Sequence, residues 1–140
     1  MTAQERSQLH HVVFAVASER HDTVAQMFTD LGFTLQPAEL TEFGLRIQLD
    51  WDGGVEVISP ITGSTAPVAA SVNEFLDKNG DGVYTVVLKV PGAATAESAA
   101  KRYGATVRFR QRFEGEGTHL EEIDLSVFDL PLTLLDTSLP

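Results

Sequence analysis

Apolar positions change their period several times along this chain, and each change marks an element. Leu9-His10-His11-Val12-Val13-Phe14-Ala15-Val16 is rich in β-branched residues and is bounded by the polar stretch Ser18 to Asp22, which predicts a strand over 9–16. Val24, Met27, Phe28 and Leu31 then recur at helical spacing, with Ser18 or Asp22 as N-cap and Gly32 as stop. That predicts an amphipathic helix of about three turns. Three extended segments follow, Phe33–Leu35, Leu45–Trp51 and Val55–Ser59. In the second, Leu45, Ile47 and Leu49 alternate with Arg46, Gln48 and Asp50, and Asp52-Gly53-Gly54 supplies a hairpin turn into the third.

After Pro60 the chain becomes rich in Gly, Ser, Thr, Ala and Pro. The capping-box spacing Ser71-Val72-Asn73-Glu74 predicts a short helix that Asn79-Gly80 ends. The first order of elements then recurs: a strand over 83–90, a helix from about Ala96 to Tyr103, and strands over 106–113, 120–127 and 130–135. The offsets between Gly32 and Gly104, His11 and Thr85, and Glu56 and Thr133 are nearly equal, which supports one βαβββ module written twice, the alternative being an unrelated α+β sandwich whose offsets coincide. The expected organisation is a single α+β domain with modules 9–60 and 82–136 joined by a connector 61–81.

Length and composition narrow the function classes. A chain of 140 residues buries roughly two-thirds of its unfolded surface without a disulfide or metal staple. It has no cysteine, which removes thiolate nucleophiles and every cysteine-bearing metal site and suits a reducing cytoplasm. Met1 to Gln8 carries no apolar signal core, and no run approaches the roughly 18 apolar residues of a membrane span. The formal charge of −10 repels nucleic-acid phosphates and anionic membranes on average, so neither is an expected partner. Arg108, Arg110 and Arg112 are the one basic cluster. Their spacing places them on one strand face, read first as a solvated face and second as an anion grip.

Several phrases in order resemble the vicinal-oxygen-chelate superfamily, which includes glyoxalase I, bleomycin-binding proteins and extradiol dioxygenases. They are Leu9 to Val16, Glu42-Phe43-Gly44-Leu45, Val55-Glu56-Val57-Ile58-Ser59-Pro60, and the helix, Asn-Gly break and strand of Ser71 to Val90. Within the superfamily they look most like methylmalonyl-CoA epimerase. The resemblance implies paired βαβββ modules forming a cup-shaped mixed sheet, a small-molecule ligand and a homodimer.

It also implies metal-ligand positions at His11, Glu56, Thr85 and Thr133, where His, Gln or Glu, His and Glu are the family's pattern. Two of these four are replaced by threonine, and a catalytic divalent site wants about three imidazole or carboxylate ligands. No metal cofactor is therefore expected, with a weakly held divalent ion at His11 and Glu56 as the alternative. His10 points away from His11 on a strand and is not expected to join it. Glu42 matches one catalytic acid of the epimerases. The implied function is an isomerase or lyase acting by proton abstraction on a small carbonyl compound or CoA thioester.

In that reading Glu42 is the base, with its pKa raised by burial, and His11 orients or relays the proton. Arg46 and Gln48 act as donors to the developing enolate, while Glu56, Thr85 and Thr133 line the cavity. Two other polar sites are candidates to enter the cup: His119, read first as part of a mobile loop, and the row Glu122, Asp124 and Ser126 on one strand face, whose other reading is a solvent-facing edge. Two other classes compete: a metal-free binder of the bleomycin-resistance type, with Trp51, Phe43, Phe109 and Phe113 near a cleft, and a regulatory relative without catalysis.

Overall fold

The computed structural model describes residues 6–140; the residues before them, read above only as polar, lie outside the described residues. The chain divides into two compact units, His11–Tyr84 and Thr85–Pro140 with the N-terminal stretch through His10. In the first, β1 (Gln8–Ala15), α1 (His21–Asp30), β2 (Gln36–Leu40), β3 (Leu45–Asp50) and β4 (Val55–Pro60) form a mixed sheet in the order β2-β3-β4-β1. β1 runs parallel to β4, whereas β2, β3 and β4 are antiparallel neighbours. A parallel pair needs a crossover, and α1 lies on that crossover.

Helix α1 packs Val24 and Phe28 on Val16, Val55 and Val57, joined by Phe14, Phe33 and Leu35. Met27 and Leu31, expected on the buried stripe, are exposed at 47% and 67%, and His21 and Ala25 are buried instead. Neither Ser18 nor Asp22 caps the helix. The Ser18 hydroxyl donates to the Pro60 carbonyl and Asp22 accepts from Arg46, so both side chains are already engaged. The second strand is also displaced, to Gln36–Leu40, because Phe33 and Leu35 are drawn into the α1 core rather than into the sheet.

Helix α2 (Pro67–Asn79) belongs to this unit and begins one turn earlier than the capping-box spacing suggested, with Pro67 in its first turn. Proline is pre-organised for that position and lacks only an N–H that has no helical partner there. Ser71, expected as the cap, lies inside the helix and bonds the Tyr84 hydroxyl at 2.8 Å. Asp81 ties the entry of α1 down by accepting from Ala17 N–H and from the Arg20 guanidinium.

The second unit repeats the order with β5 (Gly82–Lys89), α3 (Ala93–Lys101), β6 (Thr106–Gly115), β7 (Thr118–Val127) and β8 (Leu130–Thr137), arranged β5-β8-β7-β6. β5 runs parallel to β8, and β6, β7 and β8 are antiparallel. Ala93, Ala96 and Ala100 pack on Ile123, Leu125, Val127 and Leu134. Small residues on the helix bring it close to these large aliphatic side chains and keep the layer dense. The two modules therefore share one element order and one strand-pairing scheme.

Candidate functional site

In the first module, Val13 is the partner of Glu56 across β1 and β4, and Leu49 its partner on β3. Side chains alternate along a strand, so His11, Val13 and Glu56 share the sheet face turned away from α1. His11 is 4% exposed and its Nε2 lies 3.1 Å from Glu56 Oε1, whose side chain is 17% exposed. An ionised carboxylate only accepts, so His11 Nε2 carries the proton and donates. The Trp51 ring stands 6.2 Å from the imidazole, tilted by 41°. The result is a carboxylate held by a packed imidazole, with the carboxylate as the more accessible member.

The same register moves two expected residues off this face. Arg46 is the partner of Ser59 and Gln48 of Val57, so both project on the α1 side of the sheet. They are not donors beside His11 and Glu56, because an odd shift along a strand reverses a side chain. Glu42 lies exposed in the turn between β2 and β3 and has no side-chain hydrogen bond among the described residues. The burial expected of this carboxylate is absent.

In the second module, Thr133 pairs with Val87 on β5 and with Asp124 on β7, on the face opposite the α3 core. Thr85 and Thr133 are buried, with their hydroxyl oxygens 2.9 Å apart. Thr133 donates to Asp124 Oδ1 at 2.9 Å, so the Thr85 hydroxyl is the donor to Thr133. The hydroxyls thus run in one direction into a carboxylate. Further along the face Gln111 donates to Glu122 at 3.1 Å, and its own carbonyl oxygen is buried without a partner among the described residues.

This relay makes a testable statement about stability. A Thr133→Val chain removes the donor to Asp124 and the acceptor for Thr85 while preserving shape, and is expected to lose about 1–3 kcal/mol. Thr133→Ser keeps both bonds and is expected to lose less. Urea unfolding of the two variants measures the difference, and equal losses would mean that methyl packing dominates at this position.

His119 and the arginine cluster have partners of their own among the described residues. His119 sits on β7, not in a mobile loop, with Nε2 3.1 Å from Asp136 and its N–H on Ser138. Arg110 clamps Glu97 of α3 through both guanidinium nitrogens, and these bonds together with Lys101 push the Glu97 carboxyl down to about 2. Arg112 pairs with Glu114, and a register shift between Val107 and Phe109 interrupts the even spacing of the cluster.

Sequence reasoning missed one polar pair. His21, 1% exposed at the start of α1, bonds Ser59 Oγ through Nδ1 at 2.8 Å. Burial first, and the Arg46 charge second, hold its pKa below the ordinary imidazole value against the weaker opposing effect of Asp22. A lowered folded-state pKa means that the unfolded chain binds the proton more readily. The stability this group contributes is therefore complete above about pH 6.5, the unfolded value, and is lost as pH falls from there through the lowered folded value. Thermal unfolding should show the midpoint falling over this window, with the slope reduced in His21→Gln.

Among the described residues no group of three or more His, Cys, Asp and Glu side chains is placed to hold a metal ion. The donor chemistry agrees: His11 and Glu56 are bonded to each other, and neutral threonine hydroxyls are poor ligands for the ions that imidazole and carboxylate favour. Of the four positions implied by the family resemblance, Thr85 and Thr133 supply neither imidazole nor carboxylate.

No protein-family model and no curated protein matches the chain. Solved structures do. A hypothetical protein from Bacillus halodurans C-125 aligns with a TM-score of 0.68 at 17% identity, covering 96% of each chain. Methylmalonyl-CoA epimerase from Mycobacterium tuberculosis aligns at 0.63 and 20% identity, over 91% of this chain and 86% of the epimerase. A 4-hydroxymandelate synthase variant from Streptomyces coelicolor aligns at 0.66 and 15%, over 95% of this chain but 49% of the synthase. The two βαβββ modules thus constitute the vicinal-oxygen-chelate fold. Among its similar structures are methylmalonyl-CoA epimerases, and at these identities the likeness is one of architecture.

Proposed function

We propose that this chain is an isomerase or lyase that abstracts a proton next to a carbonyl in a small substrate, a CoA thioester being the first class to test, without a resident metal. The observation that carries the reading is the His11–Glu56 pair, a carboxylate fixed by a buried imidazole on an otherwise apolar strand face. Glu56 is the base and His11 its positioning residue, since the less buried member is the one a substrate can reach. The CoA class is supported by structural neighbours described as methylmalonyl-CoA epimerase bound to methylmalonyl-CoA and to 2-nitronate-propionyl-CoA. Glu42, exposed in its turn, is the competing base.

A general base must come within hydrogen-bond reach of the proton it removes and hold an unprotonated oxygen toward it. His11 occupies Oε1 of Glu56, which directs the chemistry to Oε2. The pair thus fixes the orientation of the carboxylate.

The test incubates methylmalonyl-CoA and related acyl-CoA thioesters with the protein in deuterated water and follows α-proton exchange. Exchange lost in Glu56→Gln and kept in Glu42→Gln supports this reading. The reverse pattern transfers the role to Glu42, and no exchange with the native chain rejects proton abstraction for these substrates. Elemental analysis finding about one divalent metal per chain would overturn the metal-free part. Size measurement in solution tests the homodimer that the family resemblance implies.

A further inference from the structure

The α1 face of the first module carries a cavity of about 280 Å³ lined by His21, Glu39, Arg46, Ile47 and Gln48 with Pro37 and Ala38. It is separate from the His11–Glu56 pair, which lies on the reverse face of the same sheet. Three register positions build its polar wall. Glu39 is the partner of Arg46 across β2 and β3, and Arg46 the partner of Ser59 across β3 and β4. Paired Cα atoms stand about 4.5–5.5 Å apart and share a face, so Glu39, Arg46 and Ser59 form one row. His21 rests on the end of this row through Ser59.

Hydrogen-bond satisfaction then fixes how His21 presents itself. Ser59 is fully buried, and its only hydrogen bond among the described residues is to His21 Nδ1. A buried hydroxyl proton without an acceptor is costly, so Ser59 donates to Nδ1 and His21 keeps its own proton on Nε2. Among the described residues Nε2 has no partner, although the side chain is almost fully buried and lines the cavity. Arg46 adds a guanidinium whose one carboxylate partner among the described residues, Asp22, is 83% exposed. Such an exposed pair is worth little and is readily exchanged for a better ligand.

We infer that this cavity is a second binding site, for a small zwitterion of the α-amino-acid type, its carboxylate held by His21 Nε2–H and Arg46 and its ammonium by Glu39. A simple anion satisfies His21 and Arg46 but meets the Glu39 carboxylate at the next position of the row. A simple cation meets Arg46. Only a ligand carrying both charges at short separation complements the whole wall, and the volume sits at the small end of ligand pockets.

The test follows the four histidine imidazoles by NMR while L-alanine is added, with acetate and ethylamine as single-charge probes; His21→Gln assigns the signal. L-alanine is expected to shift the His21 resonance saturably, and acetate and ethylamine to do so at least about tenfold more weakly, a difference of about 1.4 kcal/mol. Arg46→Gln, which alters an exposed pair and leaves the fold intact, should weaken binding by about tenfold. Asp22→Asn should strengthen it several-fold by freeing the guanidinium from its competitor. Absence of a His21 response to L-alanine, equal responses to acetate, or indifference to Arg46→Gln would each overturn the assignment. None of these outcomes depends on the exchange chemistry of the other face.

Discussion

Glu56→Gln is expected to reduce α-proton exchange by about 10²–10⁴-fold, the usual contribution of a positioned general base. The amide keeps the size of the carboxylate and can still accept from His11 Nε2, so its oxygen occupies the place of Oε1. What disappears is the anionic oxygen that receives the substrate proton. A loss confined to kcat identifies proton transfer, whereas a loss confined to KM means that Glu56 serves binding alone. His11→Gln gives the complementary result. The carboxylate remains but is no longer held in one rotamer, so the expected reduction is smaller. Were His11 itself the base, the order would reverse and His11→Gln would lose more than Glu56→Gln.

Much of this architecture is legible in the sequence, for a definable reason. Both modules bury one sheet face under a helix, and Val55, Val57, Ile123 and Leu125 therefore keep a strict alternation that periodicity reads directly. The misplacements occur where packing and local propensity disagree. Phe33 and Leu35 look like a strand but serve the α1 core, and Ser71 has the spacing of a cap but is engaged by Tyr84. His11, Thr85 and Thr133 were singled out by the family resemblance rather than by any pattern in the strands themselves, and all three are buried. Arg46 and Gln48 were placed wrongly because a face is fixed by register to a neighbouring strand, which one strand's own sequence does not specify. His21 and Ser59 escaped notice because their contact joins a helix to a strand 38 positions away.

Gly44→Ala is expected to cost more stability than any other single methyl addition in the first module. Gly44 has φ +69 in the turn between β2 and β3, donates to Thr41 and accepts from Ile61 at 2.7 Å, so its backbone is fixed from both sides. A left-handed conformation costs a non-glycine residue roughly 1–2 kcal/mol. The added Cβ would also stand 2.8 Å from the Ala69 and Ser64 Cβ atoms. Ala69 is fully buried in α2, so the helix cannot give way cheaply, and overpacking of this kind adds about 1–3 kcal/mol. Together the two terms amount to about 2–5 kcal/mol, a fall in Tm on the order of 10 °C for a domain of this size. Gly63→Ala isolates the first term, because Gly63 has φ +82 with nothing within 4 Å of the new methyl. A Gly44 variant no less stable than the Gly63 variant would show that the turn can move away from α2. The same turn carries Glu42, which lets the variant report on function below its melting temperature. With Glu56 as the base, exchange should survive a shifted turn; with Glu42 as the base, it should fall as that carboxylate is carried away from the substrate.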